Sequence, residues 1–312
     1  MSALSAPKSS RRGAWLILLA ATLWGTVGVT TQALYHLTAS TALSIGFFRL
    51  ALATPALALG CFALMGRRMF RVARRDLAVI ALLGLMLALY QACFFGAIAL
   101  VGVAIATLVT LCTAPALVAL ISAFLTGERP SRVIIAALAL AIAGVALVVE
   151  FQPGARQQAV NPIGIALALG SALGYALVAL SSRAVAGRYH PLQINTIAFA
   201  AGALALLPAA LLTGFVVTYP PMGWALLLYL GLIPSALAYG LFLTGMRSTP
   251  ATVASVLTLV EPLTATILAV VFFGERLGAL GLLGGTLLLG AILVLALTNG
   301  PKAAVEAEGV VA

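Results

Sequence analysis

Apolar runs of roughly 20 residues follow one another from Gly13 to Thr298, separated by short stretches that hold the charges, prolines and glycine clusters. A helix rises about 1.5 Å per residue, so each run is long enough to cross a hydrocarbon layer about 30 Å thick. The pattern predicts ten membrane helices: Gly13 to Leu34, Thr41 to Leu64, Leu77 to Ile98, Gly102 to Leu125, Val133 to Val149, Ile163 to Arg183, Leu192 to Thr213, Gly223 to Met246, Ala251 to Phe273 and Leu277 to Thr298. The third and fourth runs are parted only at Val101 and Gly102. The longest loop, Glu150 to Pro162, is too short for a domain outside the membrane and divides the spans into two sets of five. The predicted fold class is an all-α integral membrane protein.

Composition agrees. Of 312 residues, 63% are hydrophobic and 8% charged, with a mean hydropathy of +1.18, which leaves too little polar surface to cover a soluble globule. A net charge of +10 would suggest nucleic acid in a soluble protein. Here the basic residues lie in short loops, where they orient a chain in lipid. Placing the N-terminus in the cytoplasm puts Lys8, Arg11, Arg12, the five arginines from Arg67 to Arg75, Arg129, Arg132, Arg183, Arg188, Arg247 and Lys302 inside, against Arg156 and Arg276 outside. Both termini are therefore expected in the cytoplasm, as tails over residues 1–12 and 299–312. The bilayer, and no nucleic acid, is the expected large-scale partner. The basic start could imitate a signal peptide, but no clear small-x-small cleavage site follows, so it reads as a retained first span.

The two halves, residues 13–150 and 161–298, repeat each other. At an offset of 147, Gly84 falls on Gly231, Ala104 on Ala251, Val109 on Val256, Pro115 on Pro262, and Gly127-Glu128-Arg129 on Gly274-Glu275-Arg276. Pro55 meets Pro208 at 153, the longer basic loop after Gly66 absorbing the difference. Five spans per repeat insert the halves upside down relative to each other, an arrangement typical of secondary transporters with a substrate site near midplane.

Taken together, these residues resemble the EamA-type transporters of the drug/metabolite transporter superfamily. The resemblance rests on ten spans in two fives, Trp24-Gly25 in the first span, Arg49 in the second, and the paired proline to Gly-Glu-Arg elements followed by last spans bearing Gly144 and Gly281, Gly285 and Gly290. It implies an inner-membrane carrier of small metabolites, most similar to bacterial exporters of aromatic and other neutral amino acids. A nucleoside, a drug or a sugar-like solute is the alternative cargo. The charges break the internal symmetry: Arg49 aligns with Gly202, and Glu261 with Ala114.

Glu261 is the eleventh residue of its span, about 15 Å deep, and Arg49 is about 12 Å from the outer end of its own. A charge at midplane costs about 2.5–3.5 kcal/mol on insertion scales, so it has a partner or a task. Three readings stay open. The two charges pair with each other or with carbonyls beside Pro55 and Pro262, such as that of Thr258; or they bind the carboxylate and ammonium of a zwitterion; or Glu261 couples transport to a proton. Trp24 and Tyr175, mid-span in the first helix of each half, Tyr90, Gln91 and Phe94, and Tyr239 and Phe242 are the candidate cavity walls, with interhelical packing as the alternative for each. Thr22, Thr26, Thr110 and Thr258 could add hydroxyls. Trp15, Tyr35, Tyr189, Tyr219 and Trp224 fall at span ends, where aromatic belts belong.

Pro55, Pro115, Pro208, Pro234 and Pro262 weaken backbone bonding inside spans and are candidate bending points. Gly170 with Gly174, Gly274 with Gly278 and Gly281 with Gly285 allow close helix approach within a monomer, or a dimer. A monomer is sufficient for the fold. Cys61, Cys93 and Cys112 read as packing residues, and His36 and His190 sit near span ends. No metal constellation, phosphate loop or cofactor motif is present, and the nucleophile, base or metal set of a membrane-embedded enzyme is missing.

Overall fold

The computed structural model describes residues 11–126, 132–150, 161–185, 187–275 and 278–298. Those residues form helices and turns, with no strand among them. In order they are α1 (Arg11–Leu37), α2 (Ala42–Met65), a 3-10 turn (Gly66–Phe70), α3 (Arg74–Val101), α4 (Val103–Thr126), α5 (Arg132–Glu150), α6 (Pro162–Ser182), α7 (Pro191–Thr213), α8 (Pro221–Gly231), a π turn (Leu232–Leu237), α9 (Ala238–Met246), α10 (Ala251–Leu257), α11 (Val260–Phe273) and α12 (Ala279–Thr298).

Local chemistry sets where these helices begin. Thr41 Oγ1 accepts the Ser44 N–H ahead of α2. Asn161 and His190 accept from Ile163 and Leu192, each followed by a proline at the first helical position, where a missing N–H does no harm. The narrow division between α3 and α4 is real and rests on Gly102, whose φ of +80° is open to glycine.

Seven stretches are long and apolar enough to cross a membrane: Arg11–Leu37, Ala42–Phe70, Arg74–Val101, Val103–Leu125, Pro162–Ser182, Pro191–Thr213 and Pro221–Met246. Arg132–Leu147, Val260–Phe273 and Ala279–Val294 are shorter apolar helices. The run from Ala251 to Phe273 is not one helix. Pro262 has no N–H to bond four residues back, and the chain tightens instead: the Glu261 N–H donates to Thr258 at 3.0 Å and Leu259 to Val256 at 3.2 Å. The Thr258 carbonyl, expected to be freed by the proline, is thus taken by Glu261. Pro55, Pro115 and Pro208 lie inside unbroken helices.

Packing carries the internal symmetry into space. α3 lies on α6 as α9 lies on α1, α4 lies on α6 as α11 lies on α1, and α2 pairs with α7, α4 with α11 and α5 with α12. Exchanging the halves maps this set onto itself. Polar side chains such as Gln91, Gln193, Ser171 and Ser235 are buried, while Leu59, Leu212, Ile267 and Phe272 are exposed. That inversion suits a molecule whose surroundings are hydrocarbon. Gly174 works inside the monomer, since a Cβ there would sit 3.0 Å from the Tyr90 backbone.

Gly274 ends α11 at φ +65°, its N–H and that of Glu275 returning to Val270 and Ala269. Glu275 then crosses to the start of α4. The matching Gly127-Glu128-Arg129, together with Arg276, Arg156, residues 1–10 and residues 299–312, lies outside the described residues, while Arg11 and Arg12, expected in the N-terminal tail, open α1.

Candidate functional site: an aromatic cavity between the halves

The symmetric packing leaves a cavity where α1, α2, α3, α4, α6, α7, α9 and α11 converge. About 80 Å³ of it is open to the centre of a water molecule, several times the ~10–15 Å³ that one water requires. Trp24, Arg49, Tyr90, Gln91, Phe94, Tyr175, Tyr239 and Glu261 all line it. Phe242 is the exception. Its ring packs 5.2 Å from that of Trp24, which Tyr239 also meets at 5.3 Å, so Phe242 shapes the wall from outside the cavity lining.

The rings make two clusters. Trp24, Tyr239 and Phe199 join edge to face through Tyr239. Tyr90 stacks on Phe94 at 5.9 Å and meets Tyr175 edge-on at 5.6 Å. Such contacts fix the rings and present apolar faces to whatever enters.

Arg49, 7% exposed, is held by buried side chains. Its Nε–H donates to Ser235 Oγ at 2.9 Å, one terminal nitrogen donates to Gln91 Oε1 at 3.2 Å, and the guanidinium carbon lies 5.9 Å from the Phe95 ring centre. Two of five N–H donors are thereby used. Glu261 sits in the first turn of α11, because the break after Leu257 turns mid-span into a helix N-terminus. Backbone N–H groups and the helix dipole favour a negative charge there. Arg49 and Glu261 line one cavity, and among the described residues no ion pair joins them.

Sequence reasoning named Trp24 for this wall but passed over Thr107. Thr107 Oγ1 and Trp24 Nε1 are buried at the cavity and have no hydrogen-bond partner among the described residues. Trp24 and Gly28 are one helical turn apart on α1, and a Cβ at Gly28 would lie 3.6 Å from Thr107 Oγ1. Three of the threonines named from sequence do other things. Thr22 bonds its own helix, Thr26 bonds Leu23 and the Tyr229 hydroxyl, and Thr110 bonds Ala168 across on α6. Ser235 was also missed, although a small hydroxyl directly after an in-span proline was the available signal. Tyr35, assigned to a belt, instead gives its hydroxyl proton to the Phe95 carbonyl at 2.9 Å. At the positions equivalent to the two charges, Ala114 is fully buried and Gly202 abuts the Gly84 backbone, so neither has room for a charged side chain.

The described residues contain no cluster of His, Cys, Asp and Glu that could hold a metal.

A helical membrane bundle with a polar-tipped aromatic cavity between two like halves is a transporter architecture. The chain belongs to the EamA-like transporter family, which it matches over residues 11–150 and again over 162–297. It is 32% identical to the uncharacterized transporter YwfM of Bacillus subtilis (strain 168), over 93% of this chain and 96% of that one. It is 31% identical to a probable terminal-alkyne amino-acid exporter of Streptantibioticus cattleyicolor, over 79% and 81%. A solved crystal structure shares the fold with a TM-score of 0.63 at 23% identity, over 94% of this chain and 99% of its own.

Proposed function

We propose that this transporter is a secondary carrier that exports small neutral amino-acid-like solutes, aromatic ones among them, across the cytoplasmic membrane by alternating access. The observation that carries the reading is that Arg49 and Glu261 open onto one aromatic-walled cavity without contacting each other. A guanidinium fork suits a carboxylate and a carboxylate suits an ammonium, while the rings between them suit an apolar side chain. Trp24 Nε1 and Thr107 Oγ1 offer unused donors to the same solute. The amino-acid exporter relative supports the substrate class.

In this reading α8 with α9, and α10 with α11, each make one crossing. Ten spans then form two inverted five-helix repeats with both termini in the cytoplasm, as the arginine-rich loops favour. Pro55, Pro115, Pro208, Pro234 and Pro262 are the bending points about which the halves open. Glu261 serves the ammonium or a coupled proton.

The test is reconstitution in liposomes with labelled phenylalanine, threonine and a nucleoside. Saturable flux with counterflow of the amino acids supports the proposal; saturable flux of the nucleoside alone selects the other cargo, and unsaturable flux indicates a pore. With Glu261→Gln, loss of pH-gradient stimulation at unchanged affinity assigns the proton, whereas weakened affinity assigns the ammonium. A Glu261→Gln protein indistinguishable from wild type removes both roles.

A further inference from the structure

Arg49 meets the cavity at one fixed angle, and the origin of that angle lies in another helix. Pro234 has no N–H, so the carbonyl of Leu230, four residues earlier, loses its usual helical donor. The backbone passes through the π turn Leu232–Leu237, and the hydroxyl of Ser235 donates to that carbonyl at 2.8 Å. A serine hydroxyl has one proton. With the proton committed to Leu230, Ser235 can only accept from a further neighbour, and the neighbour is Arg49 Nε–H at 2.9 Å.

The turn is also braced against the helix that carries Arg49. A Cβ at Gly231 would lie 2.6 Å from Leu52 Cβ and 3.2 Å from the Ala53 nitrogen. Ser235 itself is fully buried, so it acts on the arginine and does not line the cavity. Because a guanidinium is planar, holding Nε on one side and a terminal nitrogen on Gln91 sets the plane of the whole group. The donors left over are on the two terminal nitrogens, which suits end-on recognition of two oxygens.

We propose that Ser235, oriented by Pro234, is the positioning residue that turns the terminal nitrogens of Arg49 toward the carboxylate of the transported solute. The proposal rests on Arg49 being the carboxylate-binding group.

Ser235→Ala alone would leave both Leu230 and Arg49 short of a partner. In the double variant Pro234→Ala with Ser235→Ala, the new backbone N–H at 234 can serve Leu230, so the loss is confined to Arg49. The experiment measures counterflow of labelled phenylalanine into liposomes holding each full-length protein, with phenylalaninamide, which lacks the carboxylate, as competitor. The expected result is a rise of about tenfold in half-saturation for phenylalanine in both variants, the scale of a lost charge-assisted hydrogen bond, with unchanged inhibition by phenylalaninamide.

Recovery of wild-type half-saturation in the double variant would make Ser235 a backbone cap only and overturn the proposal. Equal shifts for phenylalanine and its amide, or aggregation of the double variant on size exclusion, would overturn it as well. Arg49→Gln separates the proposal from its parent reading: if that change leaves the preference for phenylalanine over its amide intact, carboxylate binding by Arg49 fails, and Ser235 fails with it.

Discussion

The carboxylate of Glu275, just past the end of α11, caps α4 in the other half of the chain, accepting the N–H of Val103 at 2.7 Å and of Ala104 at 2.9 Å. These N–H groups have no acceptor within their own helix, and the helix dipole adds to the attraction for a negative charge. Gly102 leaves room for the contact, since a Cβ there would lie 2.8 Å from a carboxylate oxygen. Glu275→Ala should destabilise the protein by about 1–2 kcal/mol, and Glu275→Gln by less, since an amide oxygen still accepts one bond. Thermal unfolding in detergent checks the order; equal melting temperatures for Glu275→Ala and wild type would mean that the cap contributes nothing.

Gly25 and Gly60 give opposite expectations for the same substitution. A Cβ at Gly25 would lie 2.6 Å from Thr264 Cβ and 2.8 Å from the Glu261 carbonyl, whereas nothing lies within 4 Å of one at Gly60. Gly25→Ala should cost about 1–3 kcal/mol through forced separation of α1 from α11. Gly60→Ala should be neutral or stabilise by about 0.5–1 kcal/mol through backbone entropy. Melting temperatures of the two variants, measured side by side, decide it.

Asp76 ties the start of α3 to the loop before α7. It accepts from Arg188 at 2.8 Å and from the Tyr189 hydroxyl at 2.8 Å, while that hydroxyl accepts the Ala73 N–H at 3.1 Å. The Arg188 side chain is 61% exposed and that of Asp76 12%, so the ion pair itself should contribute at most about 1 kcal/mol. Arg188→Ala should therefore be mild. Asp76→Ala, which also strands a tyrosine hydroxyl, should cost about 1–3 kcal/mol, and denaturation of both variants tests the ranking.

His190 links the start of α7 to pH. Its Nδ1 accepts the Leu192 N–H, and burial, with the Arg247 guanidinium behind it, holds the imidazole below its ordinary value of 6.5. The folded protein therefore binds fewer protons at this site than the unfolded chain does as pH falls through about 6.5. The stabilising contribution is present above that pH and is lost below it, as the imidazole charges. His190→Asn, which puts an amide oxygen in place of Nδ1 as the cap acceptor and does not titrate, should flatten this part of the acid loss. Melting temperatures between about pH 5 and 7.5 test this; parallel curves for variant and wild type would contradict it.

The sequence by itself determined the chain's relation to the membrane and its doubling. Burying runs of this length in hydrocarbon leaves the helix as the way to satisfy every backbone group, so length and polarity suffice to read the elements. Eight of the nine proposed cavity residues were also legible, because a charge, an amide or a polar-edged ring in mid-span has few places to go. What the tertiary structure decided is which groups meet. It placed Phe242 behind Trp24, gave Glu275 to α4, gave Ser235 to Arg49, and kept Arg49 and Glu261 out of contact. The physical reason is that depth along a helix follows from counting residues, whereas the partner at that depth depends on crossing angle, on glycine contacts and on where prolines interrupt the backbone. The break after Leu257 and the π turn at Pro234 each move side chains around the helix by an amount that no regular period predicts.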